Sequence, residues 1–272
     1  GTLPFAYASN TLALVYNAER TLDAAWPQAA VAHACFLRMS EARGVALAEM
    51  QFGETLRRLA DRHDRQQYSP DRETPRHIYE ESERVLWSAY NSFLLHPILS
   101  REGQRRAEAA IELASSLRDQ VRVLNVPTEK DKHDARRILL EADRLLHEAE
   151  DVARQIEHRL LQLDARWAQA TLLYRASRTG LGTYSEREGQ PISSDELVRA
   201  FTDVAQAALE LKVVSPKAWI SHDNPNPHIG RSQVRAVRRL GRIYGRLGRI
   251  YAEEFIDLSE AVRKREGLLP YV

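Results

Sequence analysis

The chain has 272 residues, 43% of them hydrophobic and 28% charged, which excludes a disordered chain and a membrane-embedded one and is enough for one large core. Thirty-nine basic residues stand against thirty-eight acidic ones, a formal net charge of +1, so any electrostatic function must come from how the charge is distributed. The single cysteine, Cys35, excludes an internal disulfide framework.

Only five basic residues are lysine, and arginine suits bidentate carboxylate and phosphate contacts better than lysine does. The low counts of 12 glycines and 11 prolines fit long helices. The uncharged stretches Gly1 to Ala18 and Val85 to Ser100 are too short or too polar to cross a bilayer. An intracellular, cytoplasmic protein without membrane insertion is therefore expected.

Prolines punctuate the chain, because each removes an amide donor and restricts the residue before it. Between them the Ala-, Leu-, Arg- and Glu-rich segments have helical periodicity, which predicts helices over 8–26, 27–66, 76–95, 101–125, 128–178, 194–214 and 230–266. Nothing reads as a sheet. The expected fold class is all-α, an elongated multi-helix bundle divided as 1–97, 98–179 and 180–272 within one continuous domain.

The helix predicted from Thr128 carries the strongest pattern. Thr128 can cap it, and Glu129 and Asp131 suit the positive end of its dipole. Apolar residues then recur at Leu139, Ala142, Leu146, Ala149, Ala153, Ile156, Leu160, Leu163, Trp167, Ala170 and Tyr174, the seam spacing of a coiled coil. About 50 residues in one such helix would make a rod of roughly 75 Å. The same rhythm at Ala107, Ala110, Ala114, Leu117, Val121 and Leu124, followed by Asn125-Val126-Pro127, predicts an antiparallel hairpin with the preceding helix. The rest of the rod would then pair with other segments or with another chain, and a homo-oligomer is expected.

Further along, Ser193 and Glu196 have the spacing of a capping box for the next helix. Gly180-Leu181-Gly182-Thr183 follows no strand, so it is no phosphate cradle. The last long helix carries Arg231, Arg235, Arg238, Arg239, Arg242, Arg246 and Arg249 with no acid between them. At 100° per residue these seven fall within roughly 100° of arc. The opposite side repeats Val234, Val237, Gly241, Tyr244, Gly248 and Tyr251, a packing rhythm.

Seven like charges on one face repel one another unless an acidic partner or salt neutralises them. An acidic row at Asp143, Glu150, Glu157 and Asp164, spaced by seven, matches Arg235, Arg242 and Arg249, also spaced by seven. The other partner is a polyanion, a DNA or RNA backbone followed without reading bases. An acidic membrane surface fits less well, because glycines interrupt the apolar face.

Catalytic and metal patterns are otherwise missing from the sequence, and no cofactor, metal or small-molecule substrate is expected. His147, Asp151 and His158 share one flank of the long helix, where a solvated face outweighs a zinc site. Helical ribonucleases of the HEPN type use an Arg followed four to six residues later by His. Arg57 or Arg58 with His63, and Arg72 with His77, have that spacing, but chance alone gives about three such pairs. Cys35, His33 and His96 read as packing or capping residues, and Trp26, Trp87 and Trp219 as anchors.

The reading is a non-enzymatic helical scaffold that self-associates through its heptad seams and binds a polyanion, nucleic-acid backbone first, through the arginine face. A scaffold binding only acidic protein surfaces and a metal-independent HEPN-like ribonuclease are the alternatives.

Overall fold

The structure is a computed structural model that describes residues 2–66, 73–124, 129–178 and 192–210. Among them are eight α-helices, one short 3₁₀ turn and no strand, so the fold is an all-α bundle. Two compact units divide the chain, Gly1–Gly189 and Gln190–Val272. The first holds α1 (Leu3–Glu19), α2 (Leu22–Arg38), α3 (Ala42–Gln66), α4 (Glu73–Leu95), α5 (Gly103–Val123), α6 (Glu129–Gln155) and α7 (Arg159–Arg178). From the second, α8 (Ser194–Glu210) is described.

Two predicted long helices are each broken once. The segment 27–66 is two helices, with α2 starting upstream at Leu22 and carrying Pro27 inside it. It ends at Arg38, and Ser40 takes a positive φ of 53° before α3 begins. The 50-residue rod over 128–178 is likewise α6 and α7, of 27 and 20 residues, with Glu157 at φ 55° between them. Arg20 (φ 63°) ends α1 in the same way and separates it from α2 inside the predicted 8–26 helix. Each reversal uses the left-handed C-terminal geometry that glycine ordinarily supplies.

The break after Gln155 is locked by local bonds. The His158 amide donates to the Ala153 carbonyl at 2.8 Å, and the His158 ring nitrogen accepts from the Leu161 amide at 3.2 Å, capping α7. Gln162 Nε2 reaches back to the Ala153 carbonyl at 3.1 Å, and Arg166 Nε donates to Glu150 at 2.9 Å. In one straight helix, residues 16 apart would lie roughly 24 Å from each other. α7 therefore folds back along α6.

Within the first unit, consecutive helices run antiparallel. Asp23 faces Arg62 and Phe36 faces Gly44 across α2 and α3. Ser82 faces Gly53, and Ser88 faces Glu49, across α3 and α4. Gly103, at the start of α5, lies against Val152 and Ile156, so α5 and α6 form the expected antiparallel hairpin. The predicted seam residues Leu139, Ala142, Leu146, Ala149 and Ala153 are all buried, as are Ala107, Ala110, Ala114, Leu117 and Val121 of α5. The seam is thus used within the chain.

Much of the core is alanine, which lets helix backbones approach closely, with Phe36, Tyr79, Leu86, Tyr90, Phe93, Leu113 and Leu145 filling the gaps between them. Burying each Leu or Phe contributes about 1.5–3 kcal/mol. Small polar groups set the register where α3, α4 and α5 meet: the Ser82 hydroxyl donates to the Gly53 carbonyl at 2.8 Å and lies 3.0 Å from the Ser116 hydroxyl. At the foot of α1 the buried Asn17 donates to the Gln51 carbonyl at 3.2 Å and accepts from the Thr55 hydroxyl at 3.0 Å. α8 begins with the predicted capping box, since the Ser193 amide donates to Glu196 at 2.9 Å and the Glu196 amide donates to the Ser193 hydroxyl at 3.2 Å. Leu197, Phe201, Val204 and Ala205 form its buried stripe.

Candidate functional site

The seven-arginine stripe, Arg231, Arg235, Arg238, Arg239, Arg242, Arg246 and Arg249, lies outside the described residues. Its proposed acidic counterpart lies within them. Asp143 sits 3.3 Å from the His147 ring nitrogen, and its side chain is the main cause that lifts His147 to about 9 against the opposing effect of burial. Glu150 accepts from Arg166 at 2.9 Å and from Arg154 at 3.2 Å. Burial would push the Glu150 carboxyl up, but those two arginines hold it below its ordinary value. Glu157 is at the turn between α6 and α7, and Asp164 is buried on α7 after the chain has reversed. The four carboxylates therefore do not form one row.

Carboxylates and arginines instead pair across helices inside the bundle. Arg57 of α3 forks onto two carboxylates of α5, Asp119 at 3.1 Å and Glu112 at 3.0 Å. Arg118 Nη2 holds the other Asp119 oxygen at 2.8 Å. Three residues on, Arg122 reaches Asp61 at 2.8 Å, Asp64 at 2.7 Å and the Tyr79 hydroxyl at 3.1 Å. Burial alone would raise the Asp119 carboxyl, yet the charges of Arg118, Arg57 and Arg122 hold it at about 2. Burial opposes charge on Arg57 as well, and Glu112, Asp119 and Glu54 overcome it, raising Arg57 above its ordinary value. Burial raises Glu54, which pairs with Arg58. This network fixes α3 against α5. The sequence hint for it is a run of polar residues, Ser116, Asp119 and Gln120, at inward positions of an apolar repeat.

The Arg/His pairs fall apart differently. Arg57 is the buried fork just described, and Arg58 donates to the Asn17 carbonyl and to Glu54. His63 instead lines a cleft of about 310 Å³ with Leu22, Asp23, Trp26, Leu56, Leu59 and Ile78. Asp23 of that lining is held by a bidentate pair from Arg62, at 2.9 and 3.1 Å. His77 lies on α4, 3.3 Å from Glu80, and Arg72 is outside the described residues.

His147 and His158 are also separated in role, one paired with Asp143 and the other capping α7. Among the described residues no group of three His, Cys, Asp or Glu side chains could hold a metal ion. Among them, too, no helix is long and apolar enough to cross a membrane. Trp26 packs on Phe52 with ring centroids 4.5 Å apart, and Trp87 on Tyr90 at 5.6 Å. Cys35 is half-buried beside Phe36, and His96 accepts from the backbone amide of Ile98 at 3.3 Å. Trp219 lies outside the described residues.

No protein-family model matches the chain, and no curated protein matches it either.

Proposed function

We propose that the protein is a non-enzymatic helical scaffold that self-associates and binds a polyanion, nucleic-acid backbone first, through Arg231, Arg235, Arg238, Arg239, Arg242, Arg246 and Arg249. What carries this reading is the fate of the acidic row. Asp143 and Glu150 have partners close at hand, Asp164 is buried, and the chain reverses at Glu157. A continuous carboxylate strip on the 128–178 segment is then no match for the stripe. Between Lys212 and Arg249 the only acid is Asp223, and the next acids, Glu253 and Glu254, lie beyond the last arginine, so most of the guanidinium groups have little neutralising charge nearby in sequence. Phosphates spaced along a backbone supply it, without any need to read bases.

The test is fluorescence anisotropy with a labelled 20-base-pair duplex and a labelled single strand, between 50 and 200 mM salt. If all seven arginines neutralise phosphates of the duplex, affinity falls about 10³- to 10⁴-fold across that range. Arg235→Glu, Arg242→Glu and Arg246→Glu together abolish binding. Unchanged binding by that variant overturns the proposal, and equal binding to polyglutamate assigns the stripe to acidic protein surfaces instead.

A further inference from the structure

The α1 helix is inside-out. α1 turns its small residues inward, with Ala6, Ser9, Ala13 and Asn17 buried, and leaves Leu3, Phe5, Leu12, Leu14 and Val15 outward. At 100° per residue the outward positions of α1 cover about half its circumference, and Glu19 is the one charge among them. α2 buries Leu22 and Phe36 along with Ala25, Ala29 and Ala32, and its Trp26 packs on Phe52 of α3, but Val31 and Leu37 face out beside α1. The seven residues that carry these outward side chains are between 39% and 54% exposed.

An amphipathic helix packed on one neighbour ordinarily puts its large apolar residues inward, because apolar surface left in water is unfavourable. Such a face calls for a cover, and its chemistry narrows what the cover can be. The hairpin through Arg38 contains no lysine, two arginines (Arg20 and Arg38) and two acids (Glu19 and Asp23), so its formal charges cancel, and Asp23 is already paired with Arg62. Interfacial membrane helices rely on a basic rim, and two arginines balanced by two acids do not make one. A charged partner likewise finds no complementary charge.

The seven exposed residues offer about 600 Å², so two copies pairing through them would bury about 1,200 Å² in total, the lower end of a stable protein–protein interface. A neutral face of that size is compatible with its own copy, since a two-fold axis places identical residues opposite each other without like-charge repulsion. We propose that the outer face of the α1–α2 hairpin is the surface on which a second copy of this chain docks, forming a two-fold dimer. This gives a location to the self-association in the proposed function and is independent of the arginine stripe. It also replaces the heptad seam as the route, since the seam of α5 and α6 is buried within one chain.

The test is sedimentation velocity of the full chain in nucleic-acid-free buffer, for wild type and two surface variants, Leu12→Glu with Val15→Glu and Val31→Glu with Leu37→Glu. A milder pair, Leu12→Gln with Leu37→Gln, guards against misfolding, and circular dichroism checks helicity in each. Wild type is expected at twice the 31.1 kDa chain mass. The glutamate variants are expected to keep their helicity and run as monomers, with the dissociation constant raised at least 100-fold. A monomeric wild type overturns both this proposal and the self-association reading. A dimer that persists unchanged in the glutamine pair or in both glutamate variants overturns this surface alone. Wild-type monomer floating with neutral phosphatidylcholine vesicles would assign the face to lipid and also overturn the proposal.

Discussion

Arg57→Met is the most demanding test of the bundle's internal wiring. The substitution keeps an unbranched side chain of similar reach and removes the charge that spans Asp119 and Glu112. Asp119 is among the buried polar residues, so it cannot simply turn to water. Removing one partner of a buried ion pair costs about 3–5 kcal/mol, a large share of the roughly 5–15 kcal/mol that stabilises a typical domain. Asp119→Asn, which leaves three arginines facing an uncharged amide, should cost about 2–4 kcal/mol. The double variant should be less destabilised than the sum by about 1–3 kcal/mol, because each single change already breaks the same fork.

Urea unfolding followed by helical circular dichroism measures all four corners of that cycle. The same samples give a pH signature. Folded Asp119 titrates at about 2 against an ordinary 3.8. A depressed folded value means that its contribution is complete above about pH 4 and is lost as pH falls through about 2, a difference of about 2 kcal/mol. Asp119→Asn should flatten that acid limb. Effects that add to within about 0.5 kcal/mol, or an Arg57→Met cost below about 1 kcal/mol, would refute the network as the brace between α3 and α5.

Three further outcomes follow from single residues. His147, raised to about 9 chiefly by the Asp143 side chain, should show that value by NMR and return toward 6.5 in Asp143→Asn. Its contribution is present below pH 6.5 and lost as pH rises through about 9, and because the side chain is exposed the stability change should stay below about 0.5 kcal/mol in a urea titration. Gly53→Ala should cost about 1–3 kcal/mol on thermal melting, since the added Cβ would lie 2.5 Å from Leu86 Cγ, and should cost less in a Leu86→Ala background, which removes that atom. Glu157→Val should lower stability by about 1–2 kcal/mol because a β-branched residue resists the left-handed region, whereas Glu157→Gly should be neutral or mildly stabilising. Equal melting points for the two Glu157 variants would argue against the reversal.

Helix identity was legible because composition and the 3,4 repeat both report on a face that packs, and Ser193 with Glu196 marked its helix start through a local bond pair. The reversals at Arg20, Ser40 and Glu157 were not legible, since none of these residues favours a left-handed conformation by itself. Pro27 misled in the opposite direction: read as a boundary, it sits inside α2, where packing on α3 compensates for one missing helix bond. A heptad repeat cannot tell a straight rod from two helices folded together, because both bury the same positions through Ala153. The deciding bonds are His158 onto Leu161 and Gln162 onto Ala153, and no spacing rule announces them. The Arg57 fork was hidden for a related reason, as its partners lie 55 and 62 positions away in the chain.

The serine and arginine links among α3, α4 and α5 have a mechanical corollary. Ser82 pins α4 to Gly53 of α3, Arg57 bolts α3 to α5, and Arg122 ties α5 to both Asp61 and Tyr79. Sliding any one of these helices along its axis would break charged contacts in a closed triangle, so the three respond to load as a single girder. The α1–α2 hairpin leans on that girder through alanines, a few aromatic rings, the Asn17 cluster and the Asp23–Arg62 clasp. Under tension or gentle denaturation it should peel away first, leaving the girder standing.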